Sequence, residues 1–247
     1  MSSPQTILLI HGFPLDSRMW TPQRSALEAV GYRVLTPDLP GFGRRKPWPM
    51  ENCSMESFAD DIYRLLLADA GGRAAVGGFS MGGYVLLALL RRHPDVVTAI
   101  MLMDTHAAAD TPPARENRHE MIRAVQERGV QPVGAAMVPR LLSSAAPVEL
   151  RRDISAIIGA QSSVGIINAQ AAMARRGDHT DLLRQLRVPA LVVVGQEDVI
   201  TPPATARAMC DKIPAGRLVE IPGAGHLANL EAPAAVNNAL VEFLRVL

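Results

Sequence analysis

Short apolar runs alternate with longer amphipathic segments along most of the chain. The runs consist mainly of Val, Ile and Leu, which is typical of strands buried on both faces of a parallel sheet. The segments between them repeat apolar residues every three or four positions, as helices with one buried face do. We therefore expect a mostly parallel sheet with helices on both faces. The runs predict strands at 6–10, 32–36, 74–76, 97–103, 190–194 and 217–221.

Between about residues 107 and 187 the periodicity is helical throughout and predicts no strand. Proline pairs or X-Pro steps mark both ends of this block, which favours an insertion in an otherwise alternating fold. The pattern predicts a core domain formed by residues 1–106 and 188–247, with an all-helical cap at 107–187. Helices are predicted at 114–128, 133–142, 148–160, 164–176 and 180–186 in the cap, and at 22–30, 55–69, 81–92, 204–212 and 233–244 in the core, with Thr21 and Ser54 as N-caps.

The composition is that of an ordinary globular protein. The 247 residues are 48% hydrophobic and 20% charged, with a formal net charge of +1, so nothing indicates binding to nucleic acid or an anionic membrane. Cys53 and Cys210 are far apart in the sequence, which argues against a disulfide framework. The apolar run 7–10 is too short for a signal peptide, and no apolar stretch is long enough to span a bilayer. We expect a cytoplasmic protein.

One stretch, Gly78-x-Ser80-x-Gly82, lies between the apolar run that ends at Val76 and an apolar helix that begins near Met81. A chain that turns from strand to helix within a few residues strains the corner residue, and flanking glycines remove Cβ atoms that would clash. The hydroxyl of Ser80 would then project clear of the sheet, as in a nucleophile elbow. The alternative is that the two glycines only let a helix pack close to a sheet.

Ser80, Asp198 and His226 each follow the carboxyl end of a predicted strand. In a parallel sheet these ends share one edge, where ligands bind. The order Ser, Asp, His along the chain is that of elbow-type hydrolases. Asp104 also ends a strand and is the alternative carboxylate, whereas Glu197 would point elsewhere on an extended segment. The sequence thus predicts that a serine, an imidazole and a carboxylate meet at this edge.

The other histidines have weaker claims to a chemical role. His11 precedes a turn-rich loop and is expected to organise it through hydrogen bonds. His106 either faces the pocket or is a solvated histidine at the cap junction. The remaining three, His93, His119 and His179, lie in polar or helix-end contexts with no expected chemistry. No spacing of His, Cys and carboxylate residues predicts a metal site.

Five segments together resemble the α/β-hydrolase superfamily over nearly the whole chain. They are His11-Gly12-Phe13-Pro14, residues 38–43, the 78–82 elbow, residues 195–198 and residues 223–226. The resemblance implies an α/β-hydrolase fold, with a mostly parallel central sheet flanked by helices and an all-helical cap insertion. Capped members akin to 3-oxoadipate enol-lactonases and small carboxylesterases are the most similar within it.

Acyl-transfer chemistry gives these residues their expected roles. A serine hydroxyl needs a base to become nucleophilic, and a histidine that titrates near neutral pH can take its proton and return it. We assign Ser80 as nucleophile, His226 as base and Asp198 as the carboxylate that holds the imidazole tautomer. The developing oxyanion needs two donors, for which we assign the backbone N–H groups of Phe13 and Met81.

The cap is expected to cover the active site and to line a pocket for the acyl group. We assign Phe13, Trp20, Met137 and Leu141 as substrate-binding residues, with Trp48 as a further candidate. No basic residue stands out as a partner for a substrate carboxylate, although Arg140 and Arg115 remain open. Other candidates for the inner face of the cap are Met121, Ile157, Ile158, Ile166, Ile167 and Met173.

These inferences predict a serine hydrolase that needs neither cofactor nor metal and cleaves carboxylic esters or lactones through an acyl-Ser80 intermediate. The expected partner is a small-molecule ester or lactone, not nucleic acid or membrane, and the oligomeric state is left open. Perhydrolysis and amide or C–C hydrolysis use the same triad and remain alternatives, as does a non-catalytic ligand-binding homologue. Haloalkane and epoxide chemistry is disfavoured, because those members have an aspartate where this elbow has Ser80.

Overall fold

The computed structural model describes residues 5–46 and 53–247. Its strands are β1 (Thr6–Ile10), β2 (Arg33–Leu35), β3 (Ala74–Phe79), β4 (Val97–Met103), β5 (Ala190–Gly195) and β6 (Gly216–Ile221). They form one six-stranded sheet in the order β2-β1-β3-β4-β5-β6, and all neighbouring pairs are parallel. The predicted parallel sheet is confirmed, and its carboxyl ends lie along one edge.

The burial of the strands follows their place in the sheet. All residues of β1, β3 and β5 are buried, whereas the two edge strands β2 and β6 are partly exposed. This explains why the inner strands read as continuous apolar runs while β2 and β6 carry charged residues. The four inner strands form the centre of the core, and the helices that flank them add further buried side chains.

The helices agree with the sequence pattern to within a few residues at their ends. Ser54 caps α2 as predicted, because its hydroxyl accepts a hydrogen bond from the N–H of Ser57 while the Ser57 hydroxyl accepts from the N–H of Ser54. The helices are α1 (Thr21–Ala29), α2 (Met55–Asp69), α3 (Met81–Arg92), α4 (Pro112–Arg128), α5 (Gln131–Leu141), α6 (Val148–Gly159), α7 (Ser163–Arg175), α8 (Thr180–Leu183), α9 (Pro203–Cys210), α10 (Ala228–Glu231) and α11 (Pro233–Leu244).

The prediction of Thr21 as an N-cap is wrong. Thr21 is the first residue of α1, and its hydroxyl donates back to the carbonyl of Arg18 at 2.9 Å. A 3₁₀ turn at Ser17–Trp20 comes first and passes directly into α1. That turn, a second one at Pro94–Val96, and α10 are too short for apolar periodicity to reveal.

Helices α4 to α8 lie between β4 and β5, where the sequence predicts the insertion. The joint between α6 and α7 is bound to the loops after β1 and β2. Gln161 accepts from the N–H of Gly43 at 3.0 Å and donates to Asp16 at 2.9 Å, and Ser162 donates to the carbonyl of Gly41 at 3.1 Å. A Cβ at Gly165 would collide with that same Gly41 carbonyl, so only glycine fits this approach. The division at 106/107 and 187/188 stays a prediction.

Among the residues that the structure describes, no helix combines the length and the apolar character needed to cross a membrane.

Candidate active site

Ser80 lies at the corner between β3 and α3, in a left-handed backbone conformation that residues other than glycine rarely adopt (φ 49°). A Cβ on Gly78 would collide with the carbonyl of Gly82, and a Cβ on Gly82 would collide with the carbonyl of Ile10. The two glycines therefore allow a sharp strand-to-helix turn against β1. The strained corner predicted from the sequence is present, and its side chain is a hydroxyl.

Three predicted residues meet at the carboxyl edge of the sheet. The Nε2 atom of His226 lies 3.0 Å from Oγ of Ser80, and its Nδ1 atom lies 2.8 Å from Oδ2 of Asp198. His226 and Asp198 are buried, with 1% and 3% of their surfaces exposed. The three groups come from the loops after β3, β5 and β6, and they form one hydrogen-bonded path along which a proton can move.

The surroundings of Asp198 favour its ionised form. Burial opposes ionisation, but the hydrogen bonds from His226 and Thr201 outweigh it and hold the pKa of Asp198 below its ordinary value. One carboxylate oxygen accepts the N–H groups of Ile200 and Thr201 at 2.7 and 2.9 Å, and the other accepts the Thr201 hydroxyl at 2.6 Å. A fixed negative charge therefore faces Nδ1 of His226.

Asp104, the alternative carboxylate, takes a different place. It is buried, and one of its oxygens accepts the N–H of Gly195 at 2.9 Å. The hydrogen bond to His226 belongs to Asp198, while Glu197 is exposed. The structure thus favours Asp198 over both alternatives as the partner of the imidazole.

Oxygen or nitrogen atoms of Asp104, Asp198 and His226 lie within 4.8 Å of one another, a spacing that a metal ion could use. The donors are already engaged, however. Nδ1 of His226 bonds to Asp198, both oxygens of Asp198 accept N–H or O–H groups, and Asp104 accepts the N–H of Gly195. These bonds fit a hydrogen-bonded relay better than a metal-binding set.

Two of the remaining histidines lie near this region. His11 is buried, its Nδ1 bonds to the carbonyl of Gly12 at 3.0 Å, and its Nε2 accepts the N–H of Leu39, in the loop after β2, at 2.9 Å. The expected role as a hydrogen-bonded structural residue is confirmed. His106 lines the cavity beside Ser80, and burial together with the nearby Arg176 guanidinium lowers its pKa to about 4. A neutral His106 therefore faces the cavity.

The other three histidines make structural contacts. His93 stacks on the ring of Tyr63 and bonds to Asp60, while His179 bonds to Arg91. His119 pairs weakly with Glu116 on the exposed face of α4.

The two proposed oxyanion donors are backbone groups beside the nucleophile's strand and helix. Met81 is the first residue of α3 and directly follows Ser80. Phe13 lies in the loop after β1, the strand that pairs with β3. Neither N–H donates to an acceptor in the described part of the chain. A free N–H at the first turn of a helix is an ordinary anion-binding group.

A cavity of about 260 Å³ opens onto Ser80 and His226. Phe13, Met137 and Leu141 line it, as predicted for the substrate-binding residues. Of the further cap candidates, Met121 and Met173 also line it, whereas Ile158 and Ile166 are fully buried in the core. The volume is slightly below the range of roughly 300–1,000 Å³ that is usual for ligand pockets, which suits a small substrate.

The prediction that Trp20 binds substrate is wrong. Its side chain is fully buried and packs edge-to-face on Phe79 with ring centroids 6.3 Å apart, and it is not part of the cavity wall. The 3₁₀ turn that precedes α1 directs Trp20 into the core instead. Trp48, the further candidate, lies outside the described residues.

Sequence reasoning missed a polar group on the cavity wall. Arg118 bonds to Asp110 and, at 3.1 Å, to Gln170, and the same Asp110 carboxylate accepts from the buried Arg176 at 2.7 Å. Burial opposes ionisation of Asp110, but the two arginines keep its pKa below the ordinary value. Arg176 in turn lies over the ring of Tyr84, 4.0 Å from its centroid. The strongly polar character of α4, where only Val125 is buried, was the available signal.

Of the two arginines left open, Arg140 lines the cavity and Arg115 does not. Arg140 is exposed on α5, whereas Arg115 is exposed on α4. Arg118 and Arg140 are thus the cations on the cavity wall, and Asp110 is the carboxylate there.

Comparison with known proteins agrees with this architecture. A thermophilic esterase from Thermogutta terrifontis, solved with malate bound, shares 39% sequence identity and a TM-score of 0.94, with 98% of this chain and 90% of that chain covered. The enol-lactonase from Burkholderia xenovorans LB400 shares 27% identity and a TM-score of 0.88, with 98% and 92% covered.

A curated protein of Mycobacterium tuberculosis (strain H37Rv), named "Putative non-heme bromoperoxidase BpoC", is 30% identical over 247 residues, covering 96% of this chain and 92% of that protein. The family model described as "Alpha/beta hydrolase family" matches residues 7–239. The match spans the whole sheet, the elbow and the loops that carry Asp198 and His226. The chain therefore belongs to the alpha/beta hydrolase family.

Proposed function

We propose that this protein is a serine hydrolase that cleaves carboxylic esters or lactones through an acyl-Ser80 intermediate. The observation that carries the proposal is the hydrogen-bonded path from Ser80 through His226 to Asp198, with links of 3.0 and 2.8 Å. A serine held in this way can pass its proton to the imidazole while it attacks a carbonyl carbon. Asp198 is the positioning carboxylate, because it fixes the proton on Nδ1 and leaves Nε2 free to accept.

In the acylation step, Oγ of Ser80 attacks the carbonyl carbon and Nε2 of His226 takes the hydroxyl proton. The carbonyl oxygen becomes an oxyanion, which accepts hydrogen bonds from the N–H groups of Phe13 and Met81. The bond to the leaving oxygen then breaks, and His226 gives that oxygen the proton. Water attacks the acyl-Ser80 ester by the same steps, which releases the acid and restores the serine.

The choice of esters or lactones is supported by the cavity and by two similar proteins. The wall combines the apolar side chains of Phe13, Met121, Met137 and Leu141 with polar and charged groups, which suits a small acyl chain that carries a polar end. The similar structures are named as an esterase and an enol-lactonase. An acyl-transfer site of this kind can carry out both reactions.

The cavity also favours substrates that carry a negative charge. Two arginines and one aspartate line its wall, and Arg176 lies behind that aspartate, so the local charge is positive. Arg118 is already hydrogen-bonded to Asp110. Arg140, which also lines the cavity, makes no hydrogen bond or ion pair with any of the described residues. An exposed guanidinium on the wall can bind a carboxylate of the substrate through two N–H groups.

We expect Arg140→Gln to raise KM about fivefold for a small ester with a free carboxylate, such as a dicarboxylic acid monoester, since an exposed ion pair contributes up to about 1 kcal/mol. The diester of the same acid should keep its KM. Arg115→Gln, a matched change on the neighbouring helix, should affect neither substrate. Steady-state kinetics with the two esters test this; equal KM changes for both would contradict a charge-specific role.

A second candidate is perhydrolysis, which the name of BpoC favours. Hydrogen peroxide would replace water as the nucleophile that attacks acyl-Ser80, so that the product is a peracid. Release of acid and peracid can be measured from one ester in the presence of hydrogen peroxide. A peracid yield above that expected from the ratio of peroxide to water would support this candidate.

Covalent labelling tests the main proposal. A fluorophosphonate probe should add once per chain, at Ser80, and the heat-denatured protein should not react. Peptide mass spectrometry locates the label, and a panel of esters and lactones of graded acyl size then measures turnover. Turnover should fall as the acyl chain outgrows a cavity of about 260 Å³. Absence of labelling would favour the non-catalytic ligand-binding alternative.

A further inference from the structure

Asp104 is a buried carboxyl group that the steps above do not use. It follows β4 in a left-handed conformation (φ 45°), and its N–H donates to the carbonyl of Val193 at 2.9 Å. One carboxyl oxygen accepts the N–H of Gly195, at the end of the next strand, at 2.9 Å. Only 1% of the residue is exposed. The backbone thus holds this carboxyl in one place beneath the loop that carries Asp198.

The carboxyl of Asp104 lies beside the triad carboxylate. A carboxyl oxygen of Asp104, one of Asp198 and a ring nitrogen of His226 all lie within 4.8 Å of one another. Two carboxylates so close together in a buried site cannot both be ionised without a large cost, so one of them holds a proton. The protonated carboxyl of such a pair can donate its O–H to the other carboxylate.

The neighbouring groups decide which carboxyl holds the proton. Asp198 accepts two N–H groups, the hydroxyl of Thr201 and the imidazole of His226, whereas Asp104 accepts the N–H of Gly195. Glu231 on α10 adds a second negative charge near Asp104. Burial, followed by the charge of Asp198, raises the pKa of Asp104 well above its ordinary value. These surroundings favour Asp104 as the carboxyl that holds the proton.

We propose that Asp104 is a neutral positioning residue, whose carboxyl O–H donates to Asp198 and holds that carboxylate against Nδ1 of His226. The hydrogen-bonded relay then has four members, which in order are Asp104, Asp198, His226 and Ser80. This inference rests on the triad roles proposed above, but the proton on Asp104 can be tested without catalysis.

Two substitutions separate the hydrogen bond from the bulk of the side chain. Asp104→Asn keeps an acceptor for Gly195 and offers an N–H donor to Asp198, and asparagine tolerates a left-handed conformation. Asp104→Gly deletes the donor and fits the positive φ without strain. Asn should keep kcat within about threefold, whereas Gly should lower kcat about tenfold and leave KM within about twofold, since one hydrogen bond to a charged group is lost.

The pH profile distinguishes positioning from mere structural support. In Asp104→Gly, the acid limb of kcat/KM should move to higher pH, because an Asp198 without its donor attracts the imidazolium form of His226 more strongly. The Asn variant should reproduce the profile of the native protein. Equal activity and profiles in all three proteins would overturn the proposal, as would an Asn variant as impaired as the Gly variant.

Urea unfolding at several pH values tests whether Asp104 holds a proton in the folded protein. A carboxyl whose pKa is raised in the folded state releases its proton on unfolding, so its contribution to stability is present at low pH and is lost as pH rises. As the pH rises from 5 to 8, the free energy of unfolding of the native protein should therefore fall relative to that of Asp104→Asn. Asp16→Asn is the control, because the hydrogen bonds of Asp16 to Arg18 and Gln161 outweigh burial and lower its pKa.

The stability difference between the native protein and Asp16→Asn should stay constant between pH 5 and 8 and shrink only in stronger acid. If the difference for Asp104→Asn is also constant from pH 5 to 8, Asp104 is ionised in the folded protein and the proposal fails. Failure of the triad proposal itself would appear instead as a native protein without turnover or labelling.

Discussion

Replacing Ser80 with alanine should lower kcat for ester hydrolysis by at least about 10⁴-fold, because the change removes the hydroxyl that lies 3.0 Å from Nε2 of His226. The fold should persist, since the corner is held by backbone contacts. Ser80 N–H donates to the carbonyl of Met103, and Thr105 donates to the carbonyl of Ser80, at 2.9 and 2.8 Å. Turnover of p-nitrophenyl esters measures the loss.

The control for this change is Ser144→Ala, which removes an exposed hydroxyl from the loop after α5. It should retain native activity. Circular dichroism and urea unfolding should show that both variants are folded. A Ser80→Ala protein that keeps more than a few per cent of native turnover would require another nucleophile, and the acyl-Ser80 mechanism would be wrong.

Asp198→Asn should lower kcat/KM by about 10⁴-fold, the loss seen when the histidine of such a triad takes the wrong tautomer. Oδ1 of Asp198 accepts the N–H groups of Ile200 and Thr201, and Oδ2 faces Nδ1 of His226. An asparagine must keep its oxygen toward the two N–H groups, so its NH₂ group faces the imidazole. The proton then moves to Nε2, which can no longer accept from Ser80.

This loss should be visible in two measurements. Both ester turnover and the rate of fluorophosphonate labelling should fall, because both depend on removal of the Ser80 proton. Asp211→Asn, which changes an exposed carboxylate after α9, should leave both rates at the native level. Native labelling by Asp198→Asn would show that another group, such as Asp104, orients the histidine.

The sheet and the three triad positions were predictable because local signals determined them. Continuous apolar runs identify strands buried on both faces, and the ends of parallel strands must lie along one edge. Ser80, Asp198 and His226 each follow such a run. The elbow added a second signal, because Gly78 and Gly82 are required by close backbone contacts that the structure contains.

The cavity wall was less predictable, because it depends on how helices turn relative to one another. Trp20 is a predicted pocket residue, but it belongs to a short 3₁₀ turn that directs it into the core. The pairing of Arg118 with Asp110 joins α4 to the chain that precedes it, and a single sequence does not reveal that contact. Likewise, the proton that we propose on Asp104 depends on the closeness of Asp198, which lies 94 positions away in the sequence.

The close approach of Gly41 and Gly165 limits how this enzyme can be adapted to new substrates. Any side chain added at either position would force two main-chain segments apart, so directed evolution should leave both unchanged. Mutant libraries are better placed on α4 and α5, whose residues Met121, Met137 and Arg140 border the cavity. The α6–α7 joint would then keep the cap in place while the cavity wall on α4 and α5 is redesigned.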